Sequence, residues 1–311
     1  MNRSMGVTSR WVVTVSLLVP WTAVLLGAGP TPGAGANGEK IAFEGDHFGD
    51  WGLSAMKPDG KGITKLHAPP GAADASWSPD GERVAFEMDP QGDGNLEIFV
   101  MSAKGKDVRQ LTESPARDLW PDWFPDGQRI AFTSERNGLP NLYVMNADGS
   151  DEQPLTDALD SASREPAVSP DGQQVAFWRE TPFAPPTIWV LNVDGSGETQ
   201  LTLPGPYADM SPQWSPDGET IVFASDRTGA FEIYAMDADG ENLVQLTDSP
   251  DADFSPTFSP DGQRIAWWQD LGPHSDVWTM NADGTGQVNV TNSPAFEGFP
   301  DWRQGHPAGK H

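Results

Sequence analysis

Four acidic side chains fall at one recurring place in this chain. When the loops leading into its "P-x-W" phrases are aligned on the proline, the position three residues upstream holds Asp118, Ser163, Asp209, Asp253 and Glu297, with Ala72 in the most divergent copy. Carboxylates that a repeat brings round to one mouth would suit a hard cation, since Ca²⁺ takes about six to eight oxygen ligands. A metal reading therefore rests on Asp118, Asp209, Asp253 and Glu297. The same ring would accept a Lys- or Arg-rich peptide through charge-assisted hydrogen bonds. The alternative is local: each Asp caps its own loop by accepting nearby backbone N–H groups.

Aromatic residues stand in or beside the same loops: Trp120, Tyr207, Phe254, Phe296 and Phe299. They could anchor a partner, or they could pack between neighbouring units. The partner-binding candidates are thus Asp118, Trp120, Tyr207, Asp209, Asp253, Phe254, Phe296 and Glu297.

Other chemistry finds little support. There is no G-x-S-x-G elbow and no H-E-x-x-H helix. His47, His67, His274, His306 and His311 occupy unrelated positions. The absence of cysteine excludes disulfides, thiolate nucleophiles and Cys-based zinc sites. Catalysis is not expected, although carboxylates paired across a channel for glycosidic chemistry could not be read from spacing.

The elements that must carry these loops are legible in a repeat. "SPDG" or a close variant recurs at Asp80, Asp126, Asp171, Asp217 and Asp261, about every 45 residues. Pro-Asp-Gly makes a tight reversal cheap, because Pro presets φ and Gly accepts positive φ. A β-type run follows, as in Arg83–Phe86 and Arg129–Phe132; then a polar loop; then an alternating run such as "EIFVM", "NLYVM" or "EIYAM". "NADG" or "DADG" closes a hairpin, too short for a calcium loop. A last run ends in Leu-Thr before the next "P-x-W".

Four strands at this period predict the blade of a β-propeller. Five copies are complete. A sixth, from Asn37 through Leu66, lacks its first strand, and Phe299–Trp302 at the other end is a first strand without a blade. The expectation is an all-β, six-bladed propeller over residues 37–302, with the C-terminal strand closing the N-terminal blade and removing an open edge. The Trp of the phrase (Trp77, Trp123, Trp214, Trp302) is expected in the core.

The script "SPDG-x-x-[IV]-A-F … LT" resembles the WD-repeat-like propeller of the TolB family, periplasmic components of the Tol–Pal envelope system. The resemblance covers residues 37–302 and implies a propeller-only member, without the α/β domain that the family carries before its propeller. It also implies a structural ion pair for Arg136 and Arg227, which sit in "SERNG" and "SDRTG" phrases like the family's "SDR-x-G".

Residues 1–36 read as a signal peptide: Arg3 and Arg10, an apolar stretch Trp11–Leu26, and a small-x-small site for cleavage after Ala36. Residues 303–311 read as a tail. The formal net charge of −26 opposes nucleic acid and anionic lipid and favours solubility, cations and basic partners. The sequence thus points to an exported, periplasmic or extracellular monomer. It would bind an envelope protein or peptide at a loop-rich mouth, with no membrane insertion and no cofactor beyond a candidate Ca²⁺. The alternative is a small-molecule or glycan binder, or a hydrolase or lyase, with its site in the channel.

Overall fold

The computed structural model describes residues 39–303. The signal-peptide reading of 1–36, the cleavage site and residues 304–311 lie outside the described residues. Within them there are 24 strands and no helix. They form six four-stranded antiparallel sheets, in each of which the strands run in order from the channel outwards. The chain belongs to the fold expected of it, and the closure is the expected one. The first blade takes its innermost strand, Glu297–Arg303, from the C-terminal end, followed outwards by Lys40–Gly45, Gly52–Met56 and Thr64–Lys65. Ile41 pairs with Trp302 and Ala42 with Asp301. This strand starts two residues before Phe299 and takes in Arg303, so it is longer than expected and the tail begins later. The inner strands of blades two to six are Ala73–Trp77, Asp118–Trp123, Ala162–Val168, Asp209–Trp214 and Ala252–Phe258.

The recurring "SPDG" phrase has a local cause. In the fourth blade the Ser169 hydroxyl donates to Asp171 Oδ1 (2.6 Å) and accepts from the Gln174 N–H (2.9 Å), while Asp171 also accepts the Gln173 N–H (3.0 Å). Gly172 turns the chain at φ +69°. Serine, aspartate and glycine each do one job in that turn. The "NADG" glycines are fixed differently. At Gly149 a Cβ would stand 2.6 Å from the carbonyl oxygen of Leu111 in the preceding blade, so only glycine lets the two blades approach.

The core is divided among the seams. One buried apolar cluster lies at each of the six blade–blade interfaces. The "[IV]-A-F" motif shows why. On a strand of period two, Phe132 packs back against the second blade, while Ala131 meets the fourth. The large residue fills one seam and the small one admits the next blade. Trp77, Trp123, Trp214 and Trp302 are all buried in these seams, as expected. Arg83 and Arg264 lie over the faces of Trp123 and Trp302, 4.5 and 4.9 Å from the ring centroids.

The closing seam joins chain ends more than 250 residues apart, and Trp302 is its largest side chain. Trp302→Ala should cost about 3–5 kcal/mol in a denaturant titration. Ending the chain before Phe296 should cost more still and broaden the thermal transition. Truncated and full chains melting alike would contradict closure as the source of stability.

Candidate functional site

The loops at the upper mouth are held by a clamp that explains the Leu-Thr ending. In the second blade Glu97, first residue of the third strand, accepts the Thr112 hydroxyl (2.7 Å) and the Ser114 N–H (2.9 Å), and Thr112 accepts the Ile98 N–H (2.9 Å). Glu232 with Thr247 and Ser249 repeats the arrangement, as do Asp276 with Thr291 and Ser293. A threonine orders the outer end of five of the six loops that enter an inner strand; in the first blade His67 stands in its place.

The sequence-predicted column sits at the start of those inner strands, but it does not converge. Asp118, Ser163, Asp209, Asp253, Glu297 and Ala72 are fully buried. Each polar member is engaged within its own blade. Arg136 donates to Asp118 (2.8 Å), Arg179 to Ser163 (3.1 Å), Arg227 to Asp209 (2.7 Å) and Gln269 to Asp253 (2.9 Å). Glu297 bonds His47 and the Ser293 hydroxyl. Arg136 and Arg227 form the ion pairs that the "SDR-x-G" resemblance implied, with Tyr143 and Tyr234 rings beside them at 4.8 and 4.9 Å. Burial raises the Asp118 carboxyl against the pull of Ser134 and Arg136, and carries Asp253 to about 7. None of the column lines the channel. Among the described residues, no three His, Asp or Glu side chains are grouped to hold a metal ion.

The channel is lined instead by positions that the alignment passed over. Every inner strand carries a bulge, at Leu119/Asp122 in the third blade for example. The residue before the proline position takes a left-handed conformation in all six blades: Asp74 (φ +44°), Trp120 (+51°), Glu165 (+50°), Ser211 (+53°), Ser255 (+47°) and Phe299 (+50°). A bulge puts two residues opposite one and turns the strand's later side chains to the other face. Positions three before and one after the proline would share a face in a regular strand; here they do not. That is why Asp118 is enclosed in its blade while Asp122 reaches the channel.

The six left-handed residues line a throat of about 130 Å³. Below them lies a second layer of Ser76, Asp122, Ala167, Gln213, Thr257 and Asp301, and beneath it a cavity of about 400 Å³ at the mouth formed by the "SPDG" turns. The carboxylates here tie blade to blade. Glu44 accepts the Asp74 N–H (2.8 Å), Glu87 the Trp120 N–H (3.0 Å), Asp122 the Val168 N–H (2.7 Å) and Asp301 the Trp77 N–H (2.7 Å). Asp74 and Glu87 also share a hydrogen bond between their carboxyl groups. Burial dominates their protonation: Glu44 and Glu87 rise from 4.5 to about 7, Asp301 from 3.8 to about 7 and Asp122 to about 6. Asp74 is pushed well above its ordinary value by burial and by Glu87, Glu44 and Glu165 around it.

Above the throat the predicted aromatics are partly joined. Phe254, Phe296 and Phe299 all pack on Trp268, at 4.9, 5.6 and 5.3 Å between centroids. Phe296 continues to Trp51 (5.1 Å) and Phe254 to Phe231 (4.8 Å). Trp120 lies in the throat ring, and Tyr207 stands apart, against Arg227. Trp268 links the strip and was not singled out by sequence, since it follows the strand motif instead of lying in a loop.

The family model for the TolB β-propeller domain matches residues 31–204 and 160–306. Among solved structures, TolB from Acinetobacter baumannii superposes with a TM-score of 0.72 at 21% identity, over 85% of this chain and 66% of that one. This chain therefore spans just under two thirds of that protein's length. A protein described as a TolB from Agrobacterium tumefaciens gives a TM-score of 0.64 at 21% identity, over 86% of this chain and 99% of that one. Hydrazine synthase from Kuenenia stuttgartiensis gives 0.70 at 15% identity, over 86% and 47%. At these identities the likeness is one of fold. No curated protein matches the chain in sequence.

The channel carboxyls set an unusual pH dependence. Their folded values lie above their unfolded ones, so between about pH 4 and 7 the folded state holds protons that the unfolded state has released. Stability then falls as pH rises through that window. The melting temperature should be higher at pH 5.5 than at pH 8, and Asp301→Asn, which keeps an acceptor for Trp77, should flatten the difference. A melting temperature that climbs between pH 5.5 and 8 would contradict the assignment.

Proposed function

The chain belongs to the TolB β-propeller family, and on that premise we propose that it is an exported, non-catalytic binding protein. It engages a protein or peptide partner at the cell envelope through the upper mouth of the propeller. The observation that carries this reading is where apolar surface is left open. Phe48, Trp51, Leu139, Leu159, Phe183 and Leu203 are exposed in the loops of that mouth, Trp51 being the end of the aromatic strip that runs to Phe231, while the other exposed large apolar residues, Val108, Leu243, Val244 and Val288, are spread in or just before the outer strands. Exposed aromatic and aliphatic groups gathered at one end of a rigid scaffold suit recognition. The opposite mouth is made of short, internally hydrogen-bonded turns.

Charge supports the class of partner. A net charge of −26 disfavours nucleic acid and steers towards basic surfaces. Export is supported by the signal-like residues 1–36. Among the described residues no helix is long and apolar enough to cross a membrane. A second reading, a small ligand or substrate in the channel, is favoured by one observation: the lower cavity of about 400 Å³ is of a size that takes small molecules.

The test is capture of envelope proteins on the immobilised full chain, run with Ca²⁺ and with chelator, beside the variants Trp51→Ser and Phe296→Ser. A partner retained by the parent and at least 10-fold depleted on both variants supports the mouth as the site. Dependence on Ca²⁺ would bring a cation into the interface. A partner retained equally by all three, or none, moves the function away from the mouth, and a metabolite and glycan screen against the lower cavity follows.

A further inference from the structure

We propose that the throat beneath the mouth receives a cationic side chain, lysine or arginine, from the partner peptide. This rests on the reading of the mouth as a peptide site and specifies the partner's chemistry.

The first ground is the composition of the throat ring. Taken blade by blade, its members are Phe299, Asp74, Trp120, Glu165, Ser211 and Ser255. Over four consecutive blades, aromatic and carboxyl groups alternate. Ring faces attract ammonium and guanidinium groups through the π quadrupole, the more so where water is excluded. Carboxyls between them add charge-assisted hydrogen bonds. A bare metal ion would want six to eight oxygens and would gain nothing from the rings.

The second ground is size and continuity. The throat holds about 130 Å³, well below the roughly 300 Å³ where whole-ligand sites begin. It has room for the end of one side chain. Its member Phe299 packs on Trp268, and through Trp268 the throat runs into the apolar strip of the mouth. An occupant that covers the strip and fills the throat is a peptide with apolar residues around a basic one.

The third ground is charge. Behind the ring stand Glu44 and Glu87, and below it Asp122 and Asp301. The cations that act on this group from the described residues are Arg117, on Glu87, and Arg164, on Glu165. Both are shared with Glu135, Arg117 at 2.9 Å and Arg164 at 3.9 Å. The throat is therefore short of positive charge, and a partner's basic side chain would supply it. Because Glu44 and Glu87 behind the ring ionise only near neutrality, the attraction should strengthen from pH 6 to pH 8.

The experiment measures fluorescence anisotropy with the full chain and two labelled hexapeptides, one alternating phenylalanine with lysine and its twin with Nε-acetyl-lysine. The expected result at pH 8 is at least 10-fold tighter binding of the lysine peptide, falling towards parity at pH 6. Asp74→Asn combined with Glu165→Gln should erase the preference. If that variant does not fold, Ser211→Lys, which sets a competing ammonium in the ring, should erase it instead.

Equal affinity for the two peptides at pH 8 overturns the proposal, as does a lysine preference that survives the ring variants, which would assign it to the acidic surface at large. If the peptides bind equally and envelope capture still depends on Trp51 and Phe296, the mouth reading stands and the throat assignment alone fails. If neither peptide binds and capture fails as well, both fall together.

Discussion

Each blade buries its two faces only against its neighbours. A single four-stranded sheet of this kind cannot be stable alone, so among the described residues every apolar cluster straddles a seam and no blade owns its core. The ring must therefore close, and closure falls to seven residues at the far end of the chain, Glu297–Arg303, added to the blade that begins with Lys40. Phe43, Met56 and Trp302 seal that last seam against Ala266 and Val277. The repeat can vary in its loops because the seams, not the loops, hold the disc together.

The bulge in the inner strands has the second-largest consequence. Six non-glycine residues adopt a left-handed backbone at one level of the channel. Such conformations cost about 1–3 kcal/mol each and persist only where the surroundings over-determine them. Here the surroundings are neighbouring blades: the Asp74 and Trp120 N–H groups are taken by Glu44 and Glu87, and that of Glu165 by Thr133 at 3.2 Å. Two of the groups that hold the bulges, Glu44 and Glu87, are themselves carboxyls, and they stand directly behind a channel ring that already carries Asp74 and Glu165. Structural need and an acidic throat thus arise from one arrangement.

That arrangement sets stability against charge. Glu44, Glu87, Asp122 and Asp301 each satisfy a backbone N–H of the next blade, yet their ionisation in a buried channel is unfavourable, and their protonation is shifted towards neutral pH. An apolar channel would avoid the conflict but would leave those N–H groups without acceptors. A basic group from a partner relieves the repulsion without disturbing the bonds, so the feature that weakens the isolated protein at high pH is the one that would favour its complex.

Sequence by itself determined the class, the number of blades, the closing strand and the buried tryptophans. These follow from local chemistry repeated at a fixed period: Ser, Asp and Gly each stabilise the "SPDG" turn, and "[IV]-A-F" alternates large and small for consecutive seams. It also located the aromatics Phe254, Phe296 and Phe299 at the mouth. Tertiary structure alone decided which carboxyls meet the channel. The column of Asp118, Asp209, Asp253 and Glu297 is regular in sequence, but each member bonds a residue of its own blade, in the adjacent strand for Asp253 and in the loop just after that strand for the other three. Asp74, Glu165, Asp122 and Asp301 lie a few positions away in the same phrases, and they reach the channel because a one-residue bulge reverses the strand's facing. Period-two reasoning cannot see such a reversal, since nothing in the residue types of "W-P-D-W" or "F-P-D-W" states that the residue before the proline has crossed to positive φ.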